Sequence, residues 1–447
     1  MTSKYTPPHQ KQREEAAAMG KVHAARAITL SKNHVVRLSK ISVVYSCLYV
    51  VSLVTEPLKA YASEPFPWTL QSTSINPKNV SFDDYVNTTY HAFALKYNNV
   101  TMAPQTLFSH DQSTNTVVLR FNMSLPANDV DHCNSHLVQI PGSIFFGAGM
   151  VEYVCHFIAQ NASTQLFMPR YMCQYITVAN LFALSESCVW MEPLLTQGQF
   201  RVYHGLRVVE EETWSWTKLW IRLAISSVIA IEIWRLYYRH FGPLLSNLTN
   251  MGIQNYSCDS VYYVLQLGDP TWLILSHPFV CTAMVVDNLY SSSYSAVALF
   301  RVSQLEDILQ FAIGSFYGSN LVWGSYAAMR FSTPAIKFLR CENYFEPVEP
   351  GIMALSATLY AGPMVYIICQ TPLVLFFQYL NQVFPQRKME ANEVSLGMAN
   401  FLIMFASLPL LYSLIMRYFH IRRMSMFIAT SYQCNISGRA WAKEYFI

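Results

Sequence analysis

"ISVVYSCLYVVSLVTEPLKAYASEPF", residues 41–66, decides the fold, because its fate fixes which side of a bilayer every later segment faces. The apolar run from Ile41 to Val54 is about 14 residues long, nearer to a signal-peptide core than to a full span of about 20. Ala60-Tyr61-Ala62 adds an A-x-A cleavage pattern before Ser63. Against cleavage, a 40-residue arm precedes the run, and Lys59 can snorkel outward and lengthen the span. The expectation is a signal anchor over 41–62 that stays in the membrane, with cleavage after Ala62 as the alternative. Either way, Arg37 and Lys40 hold the preceding side in the cytosol and residue 63 onward is exported.

The composition agrees with a membrane protein. The chain has 447 residues, of which 52% are hydrophobic and only 13% charged, where soluble domains carry about 25% charged residues. The deficit is concentrated in uncharged stretches of about 20 residues, the mark of membrane spans. A net charge of +3 gives no reason to expect nucleic acid as a partner. Residues 1–40 hold eight Lys/Arg and little apolar periodicity, and read as a disordered cytosolic basic arm.

Residues 63–213 have a different character. They carry five Asn-x-Ser/Thr sites, at Asn79, Asn87, Asn99, Asn122 and Asn161. They also carry four cysteines, Cys133, Cys155, Cys173 and Cys188, an even number that allows three pairings. Both signals fit an oxidising, glycosylating compartment. In "TVVLRFNMSL" (116–125), Val117, Leu119, Phe121, Met123 and Leu125 share one face of a strand, and Val118, Arg120, Asn122 and Ser124 the other. "VEYVCHF" (151–157) and "FRVYHGLRV" (200–208) alternate more weakly. The expectation is an exported, glycosylated, disulfide-containing β-rich α+β domain, with Glu210-Glu-Glu212 as a solvated stalk.

From residue 214 the pattern predicts a five-helix transmembrane domain to about 416, with spans near 217–238, 270–290, 304–329, 351–380 and 395–416, and a cytosolic tail over 417–447. Trp214, Trp216 and Trp220 read as an interfacial aromatic belt. Asp269-Pro270 reads as a helix start, Ser303-Gln-Leu-Glu306 as a capping box, and "PAIKFLRC" (334–341) as a short interfacial helix. The uncharged run from Pro350 to Leu380 is too long for a straight span, so kinks at Pro363 and Pro372 are expected. Lys/Arg in the expected cytosolic parts number 8, 1, 3 and 5, against 6, 1 and 2 in the outer ones. The positive-inside rule then puts both termini in the cytosol, in the plasma membrane or a secretory-pathway membrane.

Candidate functional residues are few. His277, Asp287 and Gln370 are polar groups inside apolar stretches, and such groups are functional suspects. The simpler readings are an interhelical hydrogen bond for His277, an interfacial solvated position for Asp287, and a plain kink beside Gln370. Gly314 and Gly318 form a GxxxG, whose simpler use is packing within the bundle and whose alternative is a homo-oligomer. GxSxG, HExxH, Walker A, GxGxxG and C-x-x-C are all missing, so no catalytic residue, cofactor or metal site is assigned.

"WSWTKLW", "LYYRHFGPLL", "LGDPTWLILSHPF", "FRVSQLEDILQF" and "FEPVEPGIMALSATLYAGP" resemble stretches of multi-pass membrane proteins of oomycete-type microbes. The likeness covers roughly 214–416 and much less of the exported region. It implies the membrane architecture and brings over neither an activity nor a functional residue. The expected function is therefore non-enzymatic: the exported domain binds an extracellular or luminal ligand or protein and the spans anchor it in the lipid bilayer. A transporter or channel component using 351–380 is the alternative, and a membrane-embedded enzyme ranks third.

Overall fold

The computed structural model describes residues 34–71, 81–103, 106–168, 170–179, 182–196, 198–251, 261–341, 344–345, 348–383 and 391–431. In chain order the first elements are β1 (His34–Leu38), α1 (Lys40–Val54), a 3-10 turn (Glu56–Ala62), α2 (Phe82–Lys96), β2 (Phe108–Asp111) and β3 (Thr116–Ser124). Helices α3 (Cys133–Gln139), α4 (Ala148–Ala159) and α5 (Ala162–Phe167) follow, then β4 (Tyr171–Val178), β5 (Phe182–Pro193) and β6 (Gln199–Val208). Next come α6 (Glu212–Ile233), a π turn (Trp234–Tyr238), α7 (Arg239–Met251), β7 (Val261–Leu265), α8 (Thr271–Leu275), α9 (Pro278–Tyr290) and α10 (Ser292–Val302). The chain continues with α11 (Ile308–Gly318), α12 (Val322–Phe338), α13 (Pro350–Leu359), a π turn (Tyr360–Met364), α14 (Val365–Cys369), α15 (Leu373–Val383), β8 (Ala391–Glu393) and α16 (Ser395–Ser431).

The chain divides into two compact units. The smaller comprises Met1–Leu48 and Trp234–Asp269. In it β1 and β7 pair in parallel from His34↔Val261 to Leu38↔Leu265. Ser39 N donates to Leu265 O at 3.0 Å and Leu267 N to Ser42 Oγ at 3.1 Å, tying the strand ends together. Residues 34–38, the end of the arm read as disordered, are thus a strand; residues 1–33 of that arm lie outside the described residues.

The larger unit comprises Tyr49–Ile233 and Pro270–Ile447. Its centre is a six-stranded sheet in the order β2-β3-β6-β5-β4-β8. The first five strands pair antiparallel, and β8 adds in parallel to β4 through Tyr175↔Ala391 and Thr177↔Glu393. Three amides from separate elements, Gln174, Gln378 and Asn392, donate to the carbonyls of Ser143 and Phe145 at 2.6–3.0 Å. These bonds hold the 143–145 turn against β4, α15 and β8 at once, and they leave its buried carbonyls paired.

The sheet is buried on both faces. One face carries Val117, Leu119 and Leu206, packed with Phe300 and Val297 of α10 and Phe377 of α15. It continues through Met123, Val202 and Phe200 onto α3 and α4. On the opposite face, Tyr85, Val86 and Phe93 of α2 cover Val118, Trp190 and Tyr203. This corrects the one-sided reading of β3. Val118 is fully buried, and Arg120 is buried with its guanidinium donating to the carbonyls of Met102, Ala103 and Thr106. Only Asn122 and Ser124 of that face reach solvent, because α2 and the residues after it, Met102, Ala103 and Thr106, cover Val118 and Arg120. "VEYVCHF" is helical, within α4; its weak alternation gave way to a helical face of Met150, Val154 and Phe157 on the sheet.

Two disulfides select one of the three pairings, Cys133–Cys155 and Cys173–Cys188. The second joins residues directly opposite in the β4–β5 register.

The expected five further spans are not supported. Among the described residues only Pro350–Cys369 and Ser395–Phe419 are helices long and apolar enough to cross a membrane. A third candidate is the pair Lys40–Val54 and Glu56–Ala62, bent by 67°. The 217–238 stretch is helical, but Lys218 and Arg222 interrupt its apolarity. The 270–290 stretch breaks at Ser276–His277 into helices of 5 and 13 residues, each short of the roughly 20 that a crossing needs. The 304–329 stretch is divided at Ser319–Leu321. Two cap assignments also change. Pro270, not Asp269, precedes α8, and Asp307, not Ser303, caps α11 by accepting from Gln310 N at 3.1 Å. "PAIKF" is the end of α12, running on through Pro334. In the 350–380 run the helix continues past Pro363 through a π turn as far as Cys369, and it is interrupted at Gln370–Pro372 before α15.

Candidate functional site

Helix α6 turns Ser215, Lys218, Arg222, Ile225, Ile229 and Ile233 inward at helical spacing. Its two cations therefore enter the interior one turn apart, and they meet carboxylates from two distant segments, Glu64 and Asp287, and from Glu210 just before the helix. Arg222 is fully buried and binds Glu64 in a fork, Nη1 to Oε2 and Nη2 to Oε1, both at 2.8 Å. Its Nε donates to Asp287 at 3.0 and 3.1 Å, and Nη2 also to Ser291 Oγ at 2.8 Å. Lys218 pairs with Glu64 at 3.2 Å and with Glu210 at 2.7 Å. Tyr317 donates to Glu64 at 2.6 Å, Tyr294 donates to Glu210, and Asn115 donates to Tyr294 at 2.7 Å. The Tyr61 ring lies under the Arg222 guanidinium, 4.9 Å from its centroid.

Two basic side chains, Arg222 and Lys218, thus face three carboxyl groups, Glu64, Glu210 and Asp287. Burial alone would push the Glu64 carboxyl up; Arg222, Lys218 and the Tyr317 hydroxyl outweigh it and hold Glu64 at about 2. Burial dominates at Asp287 and raises its carboxyl despite Arg222, with the negative Glu64 adding to the rise. Beside this set, Arg301 donates to Ser63 Oγ at 2.7 Å and meets His110 Nδ1 at 3.3 Å. Burial and the Arg301 charge lower His110 to about 4. The arrangement locks helices together and orders charge, but it presents no nucleophile beside a base. Among the described residues no group of three or more His, Cys, Asp or Glu is placed to hold a metal.

A second feature is an apolar cavity of about 320 Å³ in the larger unit. Its walls come from the sheet (Ile176, Leu184), from α10 (Ala298, Leu299), from α15 (Phe377) and from the candidate spans (Ala361, Val365, Phe401, Phe405). Polar groups are sparse there: Asn288, Ser292, Ser295, Asn381 and Ser395. The volume falls within the 300–1,000 Å³ range of small-molecule sites, and an apolar lining with a few polar groups is their usual chemistry.

The residues singled out in the sequence fare unequally. Asp287 is buried in an ion pair, not solvated, because α9 packs its last turns on α6. His277 caps α9, its Nδ1 accepting from Val280 N at 3.4 Å. Gln370 donates to Ser303 O at 3.1 Å. The structure brings none of these three together. Gly314 and Gly318 are used inside the chain: a Cβ on Gly314 would lie 2.9 Å from Ala298 O, and one on Gly318 3.0 Å from Ala361 Cβ. Asn87, Asn99, Asn122 and Asn161 are exposed, while Asn79 lies outside the described residues. Glu210, read as part of a solvated stalk, is buried at its side chain. Glu64 carried no signal of its own. Lys218 and Arg222, four apart in an otherwise apolar run, were the available hint to the buried cluster.

Comparison with known proteins gives no match: no family model, no curated protein and no solved structure matches the chain.

Proposed function

We propose that this chain is a non-enzymatic, membrane-bound binding protein, anchored near its N-terminus and by its later helices, whose exported sheet domain holds an apolar ligand. The cavity between the sheet and the candidate spans carries the reading. Such a site is reached from the bilayer side, where apolar ligands concentrate, and is closed by a rigid sheet. Export is supported by four exposed sequons and two disulfides on one domain. Retention of 41–62 is supported by its far end: Ala60 belongs to the core, and Ser63 and Glu64 are buried among Arg301, Arg222 and Lys218. Glycosylation at Asn87, Asn99, Asn122 and Asn161, a cytosolic N-terminal side and a plasma-membrane or secretory-pathway location belong to the same reading.

The test is saturable binding of an environment-sensitive apolar fluorophore to the full chain purified in mild detergent. Ser295→Phe and Ala399→Phe fill the cavity from two different lining helices, α10 and α16, and are expected to abolish binding with unfolding unchanged. Binding that survives both substitutions rejects the cavity as the site.

One observation favours a second reading, transport. The π turn Tyr360–Met364 interrupts a candidate span, and its Ala361 lines the cavity; π turns inside helices recur at functional sites. Uptake by reconstituted vesicles that falls with Gln370→Ala would select it.

A further inference from the structure

Among the described residues, no Asp, Glu, Lys, Arg or His lines the 320 Å³ cavity. The charged side chains nearest its walls along the chain are engaged with other partners. Asp287 pairs with Arg222, which also binds Glu64 and Ser291. Arg301 binds Ser63 and meets His110. Glu393 accepts from Ala179 N at 2.9 Å, from Ser395 N at 3.0 Å and from Ser395 Oγ. An ionised group entering the cavity would shed its water and gain no counter-charge, at a cost of several kcal/mol.

The polar groups of the lining fall into two sets. On the α15–α16 side they are spent on the fold: Ser395 Oγ donates to Glu393 and accepts from Ala179 N at 2.9 Å, and Asn381 Nδ2 donates to Ile144 O at 3.0 Å. At the junction of α9 and α10 they are not. Asn288 Nδ2 donates to Asn320 O at 2.8 Å, which fixes the amide and leaves Oδ1 without a partner among the described residues. The hydroxyls of Ser292 and Ser295 bond to no described residue, although Ser292 is only 8% exposed. Buried polar groups are paired as a rule, so these three call for a partner inside the cavity. An alcohol supplies it, because one hydroxyl can donate to an amide oxygen and accept from a serine. A carboxylate only accepts, and it would oppose Asn288 Oδ1. We propose that the cavity takes an uncharged lipid alcohol, with its hydroxyl at Asn288, Ser292 and Ser295 and its hydrocarbon against Ile176, Leu299 and Phe401. This deepens the reading of the cavity as an apolar ligand site and rests on it.

The test uses the full chain in mild detergent with an apolar fluorophore bound, at about pH 8, where a carboxylate is ionised. Dodecanol, dodecanoate and dodecane are compared as displacing ligands of one chain length. Dodecanol is expected to displace best, and dodecanoate to be at least about tenfold weaker. The advantage of dodecanol over dodecane is expected to fall by about 2- to 10-fold in Ser292→Ala and in Ser295→Ala; two variants guard against one that misfolds, and the ratio cancels partition into micelles. Equal displacement by dodecanoate and dodecanol overturns the proposal and leaves the cavity standing as a site. So does an advantage unchanged in both variants, the result expected if water serves the two hydroxyls. A fluorophore that does not bind removes the cavity as a site and the proposal with it.

Discussion

Replacing Arg222 by Met isolates what the buried cluster contributes. The side chain is fully buried and its guanidinium makes two bonds to Glu64, two to Asp287 and one to Ser291. Met keeps much of the volume and removes the charge. Glu64 keeps only Lys218 and Tyr317, and Asp287 loses the cation that faced it. Removing one partner of a buried pair costs about 3–5 kcal/mol, because a charge is left uncompensated out of water. An independent route gives a similar figure. Glu64 sits at about 2 in the fold against a usual 4.5, which corresponds to roughly 3 kcal/mol. The sign follows. In the native protein this stability is complete above the unfolded value and is lost as pH falls from 4.5 towards 2. In Arg222→Met, burial without the cation raises both carboxyls, so the penalty is greatest at neutral pH and shrinks in acid. Denaturant unfolding of the full chain in detergent, followed by tryptophan fluorescence at pH 7 and pH 4, measures both. Adding Glu64→Gln and Asp287→Asn is expected to restore at least about half of the loss, since a neutral set needs no counter-charge. A variant within about 1 kcal/mol of wild type at pH 7, or a gap that does not narrow at pH 4, refutes the reasoning.

Two further predictions rest on other parts of the fold. Burial holds His204 at about 4, and it sits between Pro141 O at 2.9 Å and Ser187 Oγ at 3.0 Å, a geometry that keeps Nδ1 protonated and Nε2 as acceptor. Its folded value is depressed from 6.5, so its stability, roughly 3 kcal/mol at most, is present above pH 6.5 and is lost as pH falls towards 4. His204→Gln is expected to flatten the stability profile across that window, with His110 supplying the remaining slope; an unaltered slope in equilibrium unfolding contradicts it. Asn161 has two roles, as a sequon and as the cap of α5, where Oδ1 accepts from Thr164 N at 2.8 Å. Asn161→Asp is therefore expected to lose one glycan by gel mobility at unchanged stability, and Asn161→Ala to lose the same glycan plus about 1 kcal/mol.

The sequence reached this protein's local devices more securely than its partnerships. Pro350 opens a helix, the run after it is interrupted beside Pro372, and β3 and β6 lie where alternation put them, because each follows from a few neighbouring residues. The face of β3 was half legible. Periodicity assigns Val118 and Arg120 to one side but cannot see that α2 and the residues following it cover that side. The number of spans was overcounted for a related reason. Apolar runs signal burial, and the interior of a protein satisfies that signal as well as a bilayer does, as the broken 270–290 and 304–329 stretches do.

By itself, the sequence determined an apolar chain with a cysteine- and sequon-bearing region set between a short N-terminal apolar run and two long ones, since composition and spacing act within single segments. Tertiary structure alone decided that Glu64, Glu210 and Asp287 meet Lys218 and Arg222, which disulfides form, and that residues 391–393 complete the sheet. Those contacts join residues up to 216 positions apart. Their strength depends on the exclusion of water, which arises only when the whole unit closes around them.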